Sequence, residues 1–102
     1  INIIFCSDDY LLDLNKKFLS HDFYTDIITF DNCADKIISG DLFISIDRVR
    51  ENSKNYASSF DEELHRVIVH GVLHLLGYKD KTKAQSKVMR EKESFYLNLF
   101  IK

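Results

Sequence analysis

A chain of 102 residues with 45% hydrophobic and 13% aromatic content has the size and composition of one globular domain, not of a disordered segment. A formal net charge of −2 and a pI near 6.1 give no global sign of nucleic-acid binding. No apolar run of about 18 residues and no signal-peptide pattern is present, so no membrane partner is expected.

Ile1 to Phe5 reads as a buried strand. The chain begins at Ile1 and not at Met, so an upstream piece is expected. Ser7 or Asp8 can cap a helix running to about Phe18, with Leu11, Leu12, Leu14 and Phe18 on it. Ser20 to Thr25 is polar and loop-like, and Asp26 to Phe30 is β-branched and strand-like. Asp31 to Lys36 reads as a turn, and Ile37 to Ile46 returns as a strand alternating Leu42, Ile44 and Ile46 against Phe43 and Ser45. The short connection predicts that these two strands are antiparallel neighbours. Asp47 to Tyr56 is a short helix. Phe60 to Leu76 is a longer one, opened by Asp61, Glu62 and Glu63, whose charge suits a helix N-terminus. Ala84, Val88, Phe95 and Leu99 stripe a last helix over about 82–100. Cys6 and Cys33 form no metal-like spacing and read as reduced thiols of a cytoplasmic protein. Strands early and helices late indicate a small α+β domain over 1–102. Its mixed sheet of three to four strands packs against the Phe60–Leu76 helix, which should be the most buried, and a C-terminal helix.

The run His70-Gly71-Val72-Leu73-His74-Leu75-Leu76-Gly77-Tyr78-Lys79-Asp80 carries the chemistry. Leu64, Val67, Ile68, Gly71, Val72, Leu75 and Leu76 make one helical face, with Val69 and Leu73 on the opposite side. His70 and His74 are therefore the polar groups of an otherwise apolar turn, and buried imidazoles need partners. A pair of core histidines bonded to backbone carbonyls is the plain alternative. Against it, side chains at i and i+4 share one face, and Gly77 can stop the helix in a left-handed conformation. The chain can then turn back and offer Asp80 as a third ligand. Two histidines and one carboxylate, with a position left open, match a catalytic rather than a structural zinc site. His65 points to another face, and His21 beside Asp22 reads as a surface residue. Lys79, Lys81, Lys83, Lys87 and Arg90 form a local basic group, either a solvated helix face or a phosphate-attracting one.

HGVLHLLGYKD resembles the HGxLHLxGYDH signature of the YbeY family, metal-dependent endoribonucleases of bacterial rRNA maturation. Leu14-Asn15 with Tyr24 to Phe30 is similar to the family's LN…pTDVLSF block, and Gly40 to Ser45 to its GDIxIS strand. The resemblance spans nearly the whole chain. It implies a zincin-like fold that lacks an upstream strand and helix here, and one Zn²⁺ on His70, His74 and Asp80. It further implies single-stranded RNA or rRNA as substrate, the ribosome or its small subunit as partner, ribosome quality control, and a cytoplasmic location. Two departures matter. The family's third ligand is usually histidine where this chain has Asp80, and Leu19 stands where the family usually has an arginine. Lys16, Lys17 and the basic group after Lys79 are the cations that could replace it. Gly71 occupies the place of the general-base glutamate of HExxH peptidases, which removes the main catalytic group of that chemistry.

The reaction implied is metal-assisted hydrolysis of an RNA phosphodiester. No side chain beyond the metal ligands is assigned to catalysis. Asp26 and Asp41 are water-positioning or outer-ligand candidates, with capping and turn roles as alternatives. Hydrolysis of another substrate by the same metal site, or a non-catalytic zinc-binding factor of ribosome assembly, are the competing functions.

Overall fold

The computed structural model describes residues 1–100; the last two residues of the expected 1–102 domain lie outside the described part. The chain alternates from strand β1 (Asn2–Cys6) to helix α1 (Asp8–Leu19), then strands β2 (Ile27–Asp31) and β3 (Gly40–Ser45). Helices α2 (Ile46–Asn55), α3 (Phe60–Leu75) and α4 (Lys83–Phe100) follow. The three strands form one mixed sheet in the order β1-β3-β2, with β1 parallel and β2 antiparallel to β3. The antiparallel pair and the α+β class agree with the sequence reading.

Alternation along β3 sorts the layers. Leu42 and Ile44 are fully buried on one face, where Ile44 joins Val49 of α2 and Val67 of α3. Phe43 points to the other face and meets Phe30 edge-on at 5.6 Å, while Phe30 meets Phe18 of α1 at 5.8 Å. The sheet therefore lies between α1 on one side and α2 and α3 on the other, and α4 packs on α3. Gly71 lets α3 approach the sheet closely. A methyl group built there would lie 2.7 Å from Ile27 Cδ1 and 3.0 Å from both Leu42 methyls.

Each helix start is set by a side chain. Ser7, Ser45 and Ser59 accept backbone N–H groups at the heads of α1, α2 and α3. Ser59 with Glu62, and Thr82 with Gln85, have the reciprocal spacing of a capping box.

Four expectations are corrected. β1 is a strand, but an edge strand with Ile3 and Phe5 largely exposed, because a short apolar run does not distinguish a buried strand from an edge strand. β3 starts at Gly40, not Ile37, since Ile37 and Ala34 close a small turn of their own. The stripe on α4 is also different: Val88, Phe95 and Leu99 are exposed, and Met89, Glu93 and Leu97 face inward. On α3, Leu73 is buried and Val69 half-buried as expected, whereas Leu76 faces solvent at the helix end. Among the described residues no helix is long and apolar enough to cross a membrane. Cys6 and Cys33 are free thiols.

Candidate metal centre

α3 ends in a turn that aims the next segment back at its own last two turns. Gly77 adopts φ +101, and its N–H donates to His74 O at 3.0 Å while Tyr78 N–H donates to Leu73 O at 3.0 Å. These are the paired bonds of a Schellman stop, which needs a residue tolerant of positive φ at Gly77. From the far side, the Gln85 side chain accepts the N–H groups of Lys81 and Thr82. The short segment between them is fixed at both ends and carries Asp80.

The result is a triangle of ligand atoms. His70 Nε2 lies 3.0 Å from His74 Nε2, and Asp80 Oδ2 lies 3.3 Å from the first and 3.4 Å from the second. The edge of a tetrahedron is about 1.63 times its centre-to-vertex distance. Zinc ligands at roughly 2.0–2.1 Å would thus be separated by about 3.3–3.4 Å. Two edges match and the third is slightly short, so the arrangement fits one face of a four-coordinate ion with its fourth corner open. Two Nε2 atoms this close require a shared proton or a shared metal cation; the carboxylate beside both stabilises either, and the three-donor geometry is what suits the metal. The structure thus brings together His70, His74 and Asp80.

A fourth residue was not anticipated from the sequence. Glu93 of α4 is 6% exposed, and its Oε2 accepts from His70 Nδ1 at 2.6 Å. An ionised carboxylate can only accept, so the proton is on Nδ1 and the Nε2 lone pair of His70 is turned into the triangle. Arg66 Nη1 donates to the other carboxylate oxygen at 3.3 Å. Burial alone would lower the His70 pKa, but the hydrogen bond and charge of Glu93, followed by Asp80 and Asp26, outweigh it and leave it raised. The available signal was a carboxylate midway between Met89 and Leu97 at helical spacing.

The other candidates separate cleanly. Asp26 lines the same cavity as His70, His74 and Asp80, together with Leu19 and Lys81. Burial raises its pKa, with His70 acting in the opposite sense. Asp41 accepts from Asn2 Nδ2 across the β1–β3 pair and lines neither cavity at the triangle. His65 is exposed with Nδ1 against Asp61 O at 2.6 Å, and His21 stacks on Phe23 at the surface. Lys16 pairs with Asp22 at 3.5 Å, away from the site. Buried Asn15 donates to Phe23 O at 2.9 Å, which holds the loop that brings Leu19 and Thr25 to the cavity. Packing of Gly71 against Ile27 and Leu42 leaves no room there for a glutamate base.

A mixed-sheet α+β domain with two histidines of one helix and a carboxylate of the following turn converging on one point has the build of a small metallohydrolase. The family described as Endoribonuclease YbeY matches residues 1–100, and the chain belongs to that family. It is 58% identical over 100 residues to the endoribonuclease YbeY of Cytophaga hutchinsonii, covering 97% of this chain and 70% of the relative. The Karelsulcia muelleri protein of the same name is 52% identical over 97 residues, covering 95% and 69%. The solution structure of TM1509 from Thermotoga maritima superposes with a TM-score of 0.66 at 33% identity, over 94% of this chain and 64% of that one.

Proposed function

We propose that this chain is a metal-dependent endoribonuclease of single-stranded RNA that holds one zinc ion on His70 Nε2, His74 Nε2 and Asp80 Oδ2. The observation that carries the reading is the triangle of these three atoms, all within 4.8 Å of one another, on residues that line one cavity with Asp26. The shared name of the relatives supports the reaction class. When bound there, zinc supplies a Lewis acid for a phosphoryl oxygen and lowers the pKa of water toward neutrality.

The chain's own groups do the rest. Glu93 keeps the His70 proton on Nδ1, so the imidazole presents its lone pair and not an N–H. Asp26, on the β2 wall, faces the same space and is the carboxylate placed to accept a proton or a water hydrogen bond near the triangle. Arg66 and Arg90 line a second cavity that shares His70 and Asp80 with the first, and an anionic backbone requires such cations. The biological setting that goes with this activity is rRNA maturation and ribosome quality control in the cytoplasm, with the small ribosomal subunit as partner.

Metal content of protein never exposed to a nickel column, combined with cleavage of a single-stranded oligoribonucleotide, tests the reading. One zinc per chain with RNA cleavage abolished by chelator is expected. Stoichiometric zinc with intact RNA would point to another substrate or a non-catalytic assembly role, and absence of zinc would reduce the histidines to a structural pair.

A further inference from the structure

Two of the three ligand residues lie on a divide between two cavities, and His74 faces only the second. His70 and Asp80 line both a cavity of about 580 Å³ between α3 and α4 and one of about 490 Å³ along β2 and the loop before it. A substrate atom at the triangle therefore has open space on two sides. That suits a group in the interior of a chain better than one at its end.

Each cavity contributes a cation. In the first, Arg66 is engaged by Glu93 at 3.3 Å and Glu63 at 3.9 Å. Arg90, on the α4 wall, makes no ion pair among the described residues. Tyr56, Ser86 and Ser94 line the same cavity. In the second cavity the cation is Lys81, also without an ion pair among the described residues. Lys87, one turn before Arg90 on α4, lines neither cavity.

We propose that a polynucleotide strand crosses this divide, with the phosphate next to the scissile one seated on Arg90 and the phosphate on the other side seated on Lys81. This rests on the endoribonuclease reading and adds the path and the two anchoring residues. Arg90 and Lys81 are positioning residues here, since neither is placed at the reacting phosphorus.

The test uses the zinc-loaded full chain, with RNA binding read by fluorescence anisotropy and cleavage read separately. Arg90→Ala should weaken binding of a single-stranded oligoribonucleotide about tenfold, the size of one charged hydrogen bond. It should also lower the slope of log affinity against log salt by about 0.7, the value for one phosphate contact on a single strand. Arg90→Lys should restore the slope, and Lys87→Ala should leave affinity and slope unchanged. A dinucleotide, which has only the scissile phosphate, should not distinguish Arg90→Ala from the parent. Zinc content of each variant excludes indirect damage to the triangle. The proposal is overturned if Arg90→Ala behaves like Lys87→Ala, or if the dinucleotide loses as much as the longer strand. RNA held with the Arg90-dependent slope but never cut would preserve the path and defeat the nuclease reading instead.

Discussion

Replacing Glu93 probes the site without touching a ligand. In Glu93→Ala the His70 Nδ1–H loses an acceptor at 2.6 Å and Arg66 loses one at 3.3 Å. The two losses are not equal. The Arg66 side chain is 42% exposed and can turn to water, while the His70 side chain is only 23% exposed and has no other partner on that nitrogen among the described residues. The cost therefore falls on the imidazole, which can rotate or exchange tautomer and withdraw its lone pair from the triangle. Loss of such a partner typically lowers metal affinity about 10–100-fold, equivalent to roughly 1.4–2.7 kcal/mol. Glu93→Gln keeps an oxygen for Nδ1–H but loses the charge and turns an amide N–H₂ toward the Arg66 guanidinium. Its loss should fall near the lower end of that range. Zinc affinity measured by competition with a chromophoric chelator decides the matter. A Glu93→Ala protein that holds zinc within twofold of the parent would refute the argument that Glu93 orients His70.

Asp80→Ala should abolish stoichiometric zinc and RNA cleavage together, because two imidazoles alone hold the ion weakly; Asp80→His should keep zinc. An alanine variant with unchanged zinc affinity would remove Asp80 from the site. Burial raises the pKa of Glu63 above its usual 4.5, with Arg66 pulling it down and Asp26 and Glu93 pushing it up. An acid with a raised folded-state pKa costs stability above that value and none below the unfolded one. Glu63→Gln, melted in the presence of chelator, should therefore be more stable than the parent at pH 7.5, with the gain gone by about pH 4. A lower melting temperature at pH 7.5 would show that the pairing with Arg66 outweighs burial. Gly40→Ala should destabilise the fold by about 1–3 kcal/mol, since its methyl would lie 2.5 Å from the Phe30 carbonyl oxygen in the β2–β3 ladder. A melting temperature equal to the parent's would contradict that.

His70, His74 and Asp80 were legible because the devices that bring them together are local. An i, i+4 pair shares a helix face whatever the rest of the fold does, and Gly77 states where the helix stops. Glu93 was not legible, because finding it requires the rotation of α4 about its axis. Two apolar stripes compete on that helix, and Val88-Phe95-Leu99 is the more hydrophobic on paper. The Met89-Glu93-Leu97 face is the inward one in the structure: it sets a carboxylate against His70 and Arg66 and buries two apolar side chains. β1 failed for a different reason. Its composition is that of a core strand, but exposure depends on which helices cover a strand: α1 and α3 pack on β2 and β3, and β1 is held mainly by its pairing with β3. Leu19, which by resemblance stands at the family's arginine position, lines the cavity and contributes no charge there.

The precision of the triangle comes from backbone bonds and not from packing of the ligands themselves. The Asp80 side chain is 38% exposed and packing does little to hold it. What places it is a segment pinned by the Leu73 and His74 carbonyls at one end and by the Gln85 side chain at the other. Glu93 then ties the same histidine to the middle of α4. An ion at the triangle would consequently bridge the end of α3 to the turn that follows it and, through Glu93, to α4. The sheet takes no direct part in those bonds. Its role is to seat α3 against Ile27 and Leu42 through Gly71, which brings the histidine face alongside Asp26 and the β2 cavity. Metal binding and the docking of α4 on α3 should therefore strengthen together, whereas the β1-β3-β2 pairing stands apart from both.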